Sequence, residues 1–147
     1  MKSKTKLTGD ILAFDIGEAR TGVARMHTIA RIPEPLAPIN HKKESLSTAV
    51  KRLVSEYEPV AVIVGAPRSL DGNETAQTAE TRRKYESLLP LLEESKTLSF
   101  FIDEAGTTKS AELRALPSES VDSVAAGIIA ENWVSLLQGD KDAEYEI

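Results

Sequence analysis

The stretch Ile11-Leu-Ala-Phe-Asp15-Ile-Gly17-Glu-Ala-Arg20-Thr-Gly22-Val-Ala24 constrains the fold more than any other part of the chain. An apolar run ends in one carboxylate, two glycines follow at close spacing, and a second apolar run begins at once. That pattern predicts a β-hairpin with Asp15 inside its first strand. The two-residue alternation of a strand puts Leu12 and Phe14 on one face and Ile11, Ala13 and Asp15 on the other. A carboxylate on a strand otherwise built for burial must be paired, hydrogen-bonded or bound to a cation. The local alternative is an aspartate that caps its own turn.

Residues 25–40 carry Pro33, Pro35 and Pro38 among Ile29, Ile32, Leu36 and Ile39. They predict an edge-type strand running into irregular chain, because proline cannot donate to a ladder. Residues 44–57 place Leu46, Val50, Leu53, Val54 and Tyr57 at the spacing of one helical face, and Pro59 ends that helix. The β-branched run 60–64 reads as a strand covered on both faces. Gly65-Ala-Pro67 terminates it, a polar loop follows, and Asn73 is the expected N-cap, with Glu74 in the first turn. The next helix runs through Ala76, Ala79, Tyr85, Leu88, Leu89 and Leu92. Residues 98–102 form a further strand that ends in Asp103 and Glu104, and residues 109–116 form a short helical piece before Pro117. Val121, Val124, Ala125, Ile128, Ile129, Trp133, Leu136 and Leu137 mark a last amphipathic helix. Gly139 stops it, and residues 139–147 read as a loose acidic tail. The order β-β-β-α-β-α-β-α-α predicts a three-layer α/β fold. Its mixed five-stranded sheet has three antiparallel strands, then two parallel ones.

A length of 147 residues suits one domain, 1–147. With no cysteine, disulfides, thiol catalysis and thiolate zinc sites are excluded, and His27 and His41 are too few and scattered for a histidine metal site. A metal here would be held by oxygen ligands, which points to Mg²⁺ or Mn²⁺. No apolar run is long enough to span a bilayer. The basic start with Lys2, Lys4 and Lys6 has no small-residue cleavage site. A cytoplasmic protein without a membrane partner is the expectation. The net charge of −5 argues against non-specific coating of nucleic acid but leaves room for a local basic face.

Acidic residues recur where sites are usually built. Asp103 and Glu104 close the last strand, at the end where open α/β sheets place their ligands. Asp122 opens the final helix and faces the boundary of its apolar stripe. If that helix packs across the sheet near the first strand, these acids converge with Asp15. Clustered carboxylates repel unless a divalent cation neutralises them. Such cations can activate a water and stabilise the leaving oxygen of a phosphoryl displacement. Each acid has a plainer reading: Asp122 as a helix-dipole partner, Asp103 and Glu104 as turn chemistry. Arg82-Arg83-Lys84 reads more readily as a solvated helix face than as a phosphate track.

These residues resemble the YqgF/RuvX family of the ribonuclease H-like superfamily, described as Holliday junction resolvases and as nucleases maturing the 5′ end of small-subunit ribosomal RNA. The family's Asp-x-Gly-x-x-Arg-x-Gly-Val-Ala is matched by Asp15, Gly17, Arg20, Gly22, Val23 and Ala24. Its Gly-x-Pro followed by Asp-Gly is matched by Gly65, Pro67, Asp71 and Gly72. Asp103, Glu104, Thr107, Thr108, Ala111 and Glu112 match the third motif, and Asp122, Ala125 and Ala126 the fourth.

The resemblance implies a metal-dependent endonuclease of ribonuclease H-like fold, with Mg²⁺ or Mn²⁺. Its substrate would be an rRNA precursor (5′-end maturation of pre-16S rRNA) or branched DNA. Asp15, Glu104 and Asp122 would be the catalytic, metal-binding acids, with Asp103 beside them, and Arg20 and Thr107 would lie near the scissile phosphate. Some members form homodimers. Two departures stand out: the usual arginine after Asp-Glu is Ala105, and the segment between Glu112 and Asp122 is short and poor in basic residues. The net negative charge and Ala105 motivate a second reading, a non-catalytic RNA- or ribosome-associated binding module. A third, an actin-like ATPase or sugar kinase, shares the Asp-x-Gly hairpin but needs two such domains.

Overall fold

The computed structural model describes residues 4–5, 7–67, 75–104, 120–138 and 145–146. In chain order the elements are β1 (Lys4–Thr5), β2 (Asp10–Ile16), β3 (Arg20–His27), β4 (Glu34–Asn40), α1 (Leu46–Tyr57), β5 (Ala61–Pro67), α2 (Ala76–Glu94), β6 (Leu98–Glu104), α3 (Val121–Gln138) and β7 (Tyr145–Glu146). The main sheet has the order β4-β3-β2-β5-β6. Strands β2, β3 and β4 are antiparallel neighbours, and β2, β5 and β6 run parallel through helical crossovers. This is the mixed five-stranded sheet expected from the sequence.

Strand alternation divides the core in two. Leu12, Phe14 and Ile16 pack with Val62, Val64 and the buried faces of α1 and α2, including Val50, Leu53, Leu88 and Leu92. Ile11 and Ala13 look the other way, onto Ile63 and α3 residues Ala126, Ile129, Ala130 and Trp133. The central strands are apolar on both faces because helices cover both. The proline-bearing β4 takes the sheet edge, where Pro35 and Pro38 leave no central ladder donor missing.

Local chemistry explains the helix ends. Ser45 caps α1 through the Thr48 N–H, and Glu58 closes it in the left-handed conformation just before Pro59. Helix α2 is capped by Thr75, which exchanges hydrogen bonds with Thr78 in a capping box. The expected cap, Asn73, lies outside the described residues, as do the helical piece at 109–116 and Gly139. One difference from the sequence reading concerns the chain ends. Tyr145–Glu146, in the segment read as a loose tail, pairs antiparallel with Lys4–Thr5. Pro90 sits inside α2, in its C-terminal part, without ending it.

Candidate active site

Asp15 is the penultimate residue of β2 and pairs across the hairpin with Gly22 of β3. Gly22 has two roles. It lies at an irregularity in the pairing of β3 with β4, between Thr21 and Val23, a position where bulges commonly re-aim a strand. It also takes the N-terminus of α3 directly onto its backbone. A Cβ at Gly22 would stand 1.9 Å from the Asp122 carbonyl oxygen and 2.7 Å from the Ser123 nitrogen. Only a residue without a side chain permits that approach.

The α3 terminus is pinned there by its hydroxyls. Ser123, fully buried, accepts a 3.1 Å hydrogen bond from the Val23 N–H at its Oγ. Ser120 receives the Ser123 N–H at its Oγ (3.3 Å) and the Val124 N–H at its carbonyl (2.9 Å), the geometry of a helix N-cap. Asp122, between them in the first turn, is therefore carried to the strand pair that bears Asp15. In sequence these residues are separated by about a hundred positions, and the hydroxyl directly after Asp122 is the one local sign of the clasp.

The two carboxylates feel each other. Burial raises the Asp15 pKa from 3.8 to about 6, and the negative charge of Asp122 adds to the rise. Among the described residues no hydrogen bond offsets this. Asp122 is 28% exposed and ion-paired to Arg20 Nε through Oδ2, while Arg20 itself is 66% exposed. Arg20 was expected beside a phosphate; here it neutralises one of the acids.

Asp103 and Glu104 are the last two residues of β6, paired with Ala66 and Pro67 of β5. They stand at the same end of the sheet as Asp15, two strands away, about 10 Å at the usual strand spacing. Along β6, position 104 is in phase with Phe100 and Ile102, which pack on the α3 side of the sheet. Position 103 is in phase with Phe101, which packs on the opposite side. Thr107 lies outside the described residues. Among the described residues no three acidic or histidine side chains gather into a metal cluster; Asp15 and Asp122 are the pair that is seen.

This mixed sheet, with helices on both faces and carboxylates at the C-terminal ends of its parallel strands, defines a ribonuclease H-like α/β protein. A structure of Thermus thermophilus RuvC in complex with Holliday junction substrate superposes with a TM-score of 0.59, covering 95% of this chain and 99% of that one at 12% identity. Residues 9–136 match the family described as RuvX: Holliday junction resolvase, and the chain belongs to that family. A protein of Enterobacter sp. (strain 638) named "Putative pre-16S rRNA nuclease" is 35% identical over 135 residues, covering 86% of this chain and 96% of its own. One of the same name from Fusobacterium nucleatum is 33% identical, with 85% and 96% covered. The family is one of nucleases, as the sequence resemblance implied.

Proposed function

We propose that the chain is a divalent-metal-dependent endonuclease that hydrolyses phosphodiester bonds in structured RNA, with the 5′ end of the small-subunit rRNA precursor as its substrate. One observation carries this reading: Gly22 and Ser123 clasp the α3 terminus so that Asp15 and Asp122 meet at the end of the sheet. Two carboxylates so close, one with its pKa raised to about 6, suit a site completed by a cation. The alternation of β6 favours Glu104 over Asp103 as the third acid, with Asp103 a neighbour.

Mg²⁺ or Mn²⁺ held by Asp15, Glu104 and Asp122 would supply an activated water and neutralise charge on the leaving oxygen. The chain's own contribution is positioning. The hairpin fixes Asp15 against Gly22, the Ser120 and Ser123 hydroxyls hold Asp122 in register, and Arg20 offers a guanidinium to a substrate phosphate. Thr107 belongs to the same substrate contact in this reading. The whole chain acts as a single nuclease domain with an acidic tail, in the cytoplasm, and some assemblies are homodimers. No described helix is long and apolar enough to cross a membrane.

The test is cleavage of two labelled substrates, a precursor small-subunit rRNA fragment and a four-way DNA junction, each with Mg²⁺, Mn²⁺ or EDTA. Metal-dependent cutting of the RNA, lost in Asp122→Asn, is the expected result. Retained cleavage in Asp15→Asn would overturn the site. Cutting of the junction alone would move the substrate to branched DNA.

A further inference from the structure

The Arg20–Asp122 ion pair sits where the proposed function needs something else. A metal ligand that is already neutralised by a guanidinium cannot hold a cation at full strength. A guanidinium that is already paired is not free for phosphate. Yet the pair is built to be broken. It is formed by Arg20 Nε and one carboxylate oxygen, and Arg20 lies two-thirds in solvent at the first position of β3, beside the hairpin turn. Exposed ion pairs of this kind contribute little net stability and exchange readily. A backbone phosphodiester, whose two non-bridging oxygens share its charge, can take a guanidinium fork bidentately, whereas the present pair engages one carboxylate oxygen. Asp122 is held independently of Arg20, by the Ser120 and Ser123 hydrogen bonds at the α3 terminus. Loss of the pair therefore frees the carboxylate without moving the residue that bears it.

We propose that Arg20 is a displaceable internal counter-ion, occupying Asp122 in the resting protein and passing to a backbone phosphate when nucleic acid arrives. The transfer strengthens the hold of Asp122 on a divalent cation once substrate is in place. Nucleic acid and cation then bind with positive coupling, each raising the other's affinity by the same factor. This rests on the reading of Asp122 as a metal ligand. Arg20 in this role is a positioning residue, acting on the cation through Asp122.

The experiment compares wild type, Arg20→Gln and Asp122→Asn, all as full chains. Mn²⁺ binding is measured by calorimetry without nucleic acid. Binding of a labelled precursor rRNA fragment is measured in EDTA over a range of salt. Arg20→Gln should bind Mn²⁺ up to about fivefold more tightly, as release of an exposed pair allows. The same variant should bind RNA more weakly, with a log–log salt slope reduced by about one. A merely structural role would move neither quantity in that pattern. If wild type binds Mn²⁺, Asp122→Asn abolishes it and Arg20→Gln leaves both affinity and slope unchanged, the counter-ion role is overturned and the metal site stands. If neither wild type nor Arg20→Gln binds Mn²⁺, the reading of Asp122 as a ligand falls and the counter-ion role with it.

Discussion

At Gly22 the absence of one methyl group decides whether a site exists. The atoms a Cβ would strike are the Asp122 carbonyl carbon and oxygen, at 2.1 and 1.9 Å. They are backbone, so no rotamer change relieves the clash. Gly22→Ala should lift the α3 terminus from the hairpin and cost about 3 kcal/mol or more. It should also lose cleavage completely while far-UV circular dichroism stays close to wild type. Full activity in a Gly22→Ala protein of unchanged stability would refute the clasp. The neighbouring acid makes a prediction of opposite sign. Asp15 titrates near 3.8 when unfolded and near 6 when folded, with burial the main cause. The folded chain thus binds this proton more tightly than the unfolded one. The contribution of Asp15 to stability is fully present below about pH 3.8 and is lost as pH rises through about 6. Asp15→Asn should therefore stabilise the metal-free protein at pH 7, by at most about 3 kcal/mol. Its stability should vary less between pH 4 and 6 than that of wild type, as denaturant melts at several pH values would show. A destabilised Asp15→Asn would mean that the carboxylate makes a favourable contact. An acid that weakens the fold in which it acts is a common cost of function.

Among the elements, α3 carries most of what the sequence could not disclose. Its apolar period was legible, and so was the division of β2 into a Leu12/Phe14 face and an Ile11/Ala13/Asp15 face, because both follow from local geometry. The hydrogen bond from Val23 to Ser123 was not, since nothing in either segment's periodicity refers to the other. The pairing of Arg20 with Asp122 was hidden for the same reason. Capping was missed at α2 for a different cause. Asn73 and Thr75 are both good caps, and the choice depended on the reciprocal bond with Thr78. Ser123→Ala isolates the clasp without a steric clash. It strands the buried Val23 N–H that now has a 3.1 Å partner, which should cost about 1–3 kcal/mol. Cleavage should fall with the loss of registration of Asp122, whereas Thr28→Val, which strands the Gly9 N–H at the opposite end of β2 from Asp15, should lower stability and leave cleavage per folded molecule unchanged. Equal effects of the two changes on cleavage would deny α3 its special place.

On the scale of the whole molecule, the acids belong to elements that meet only in the folded state: β2, β6 and the start of α3. An unfolded chain holds Asp15 and Asp122 more than a hundred residues apart and offers a cation no shared site, so cation binding should be linked to folding. At a free cation concentration one hundred times the dissociation constant, the linkage adds about 2.7 kcal/mol to stability. For a chain of this size that corresponds to roughly 5–10 °C in melting temperature. Thermal melts with rising Mn²⁺ should show such a shift in wild type and none in Asp122→Asn. Asp15→Asn should begin from a higher metal-free melting temperature and gain little. That crossing of the two curves separates a cation site from general ionic effects, because salt at equal ionic strength would move all three proteins alike. A shift of the same size in wild type and Asp122→Asn would place the cation elsewhere on the molecule and remove the physical basis for treating the sheet end as a nuclease centre.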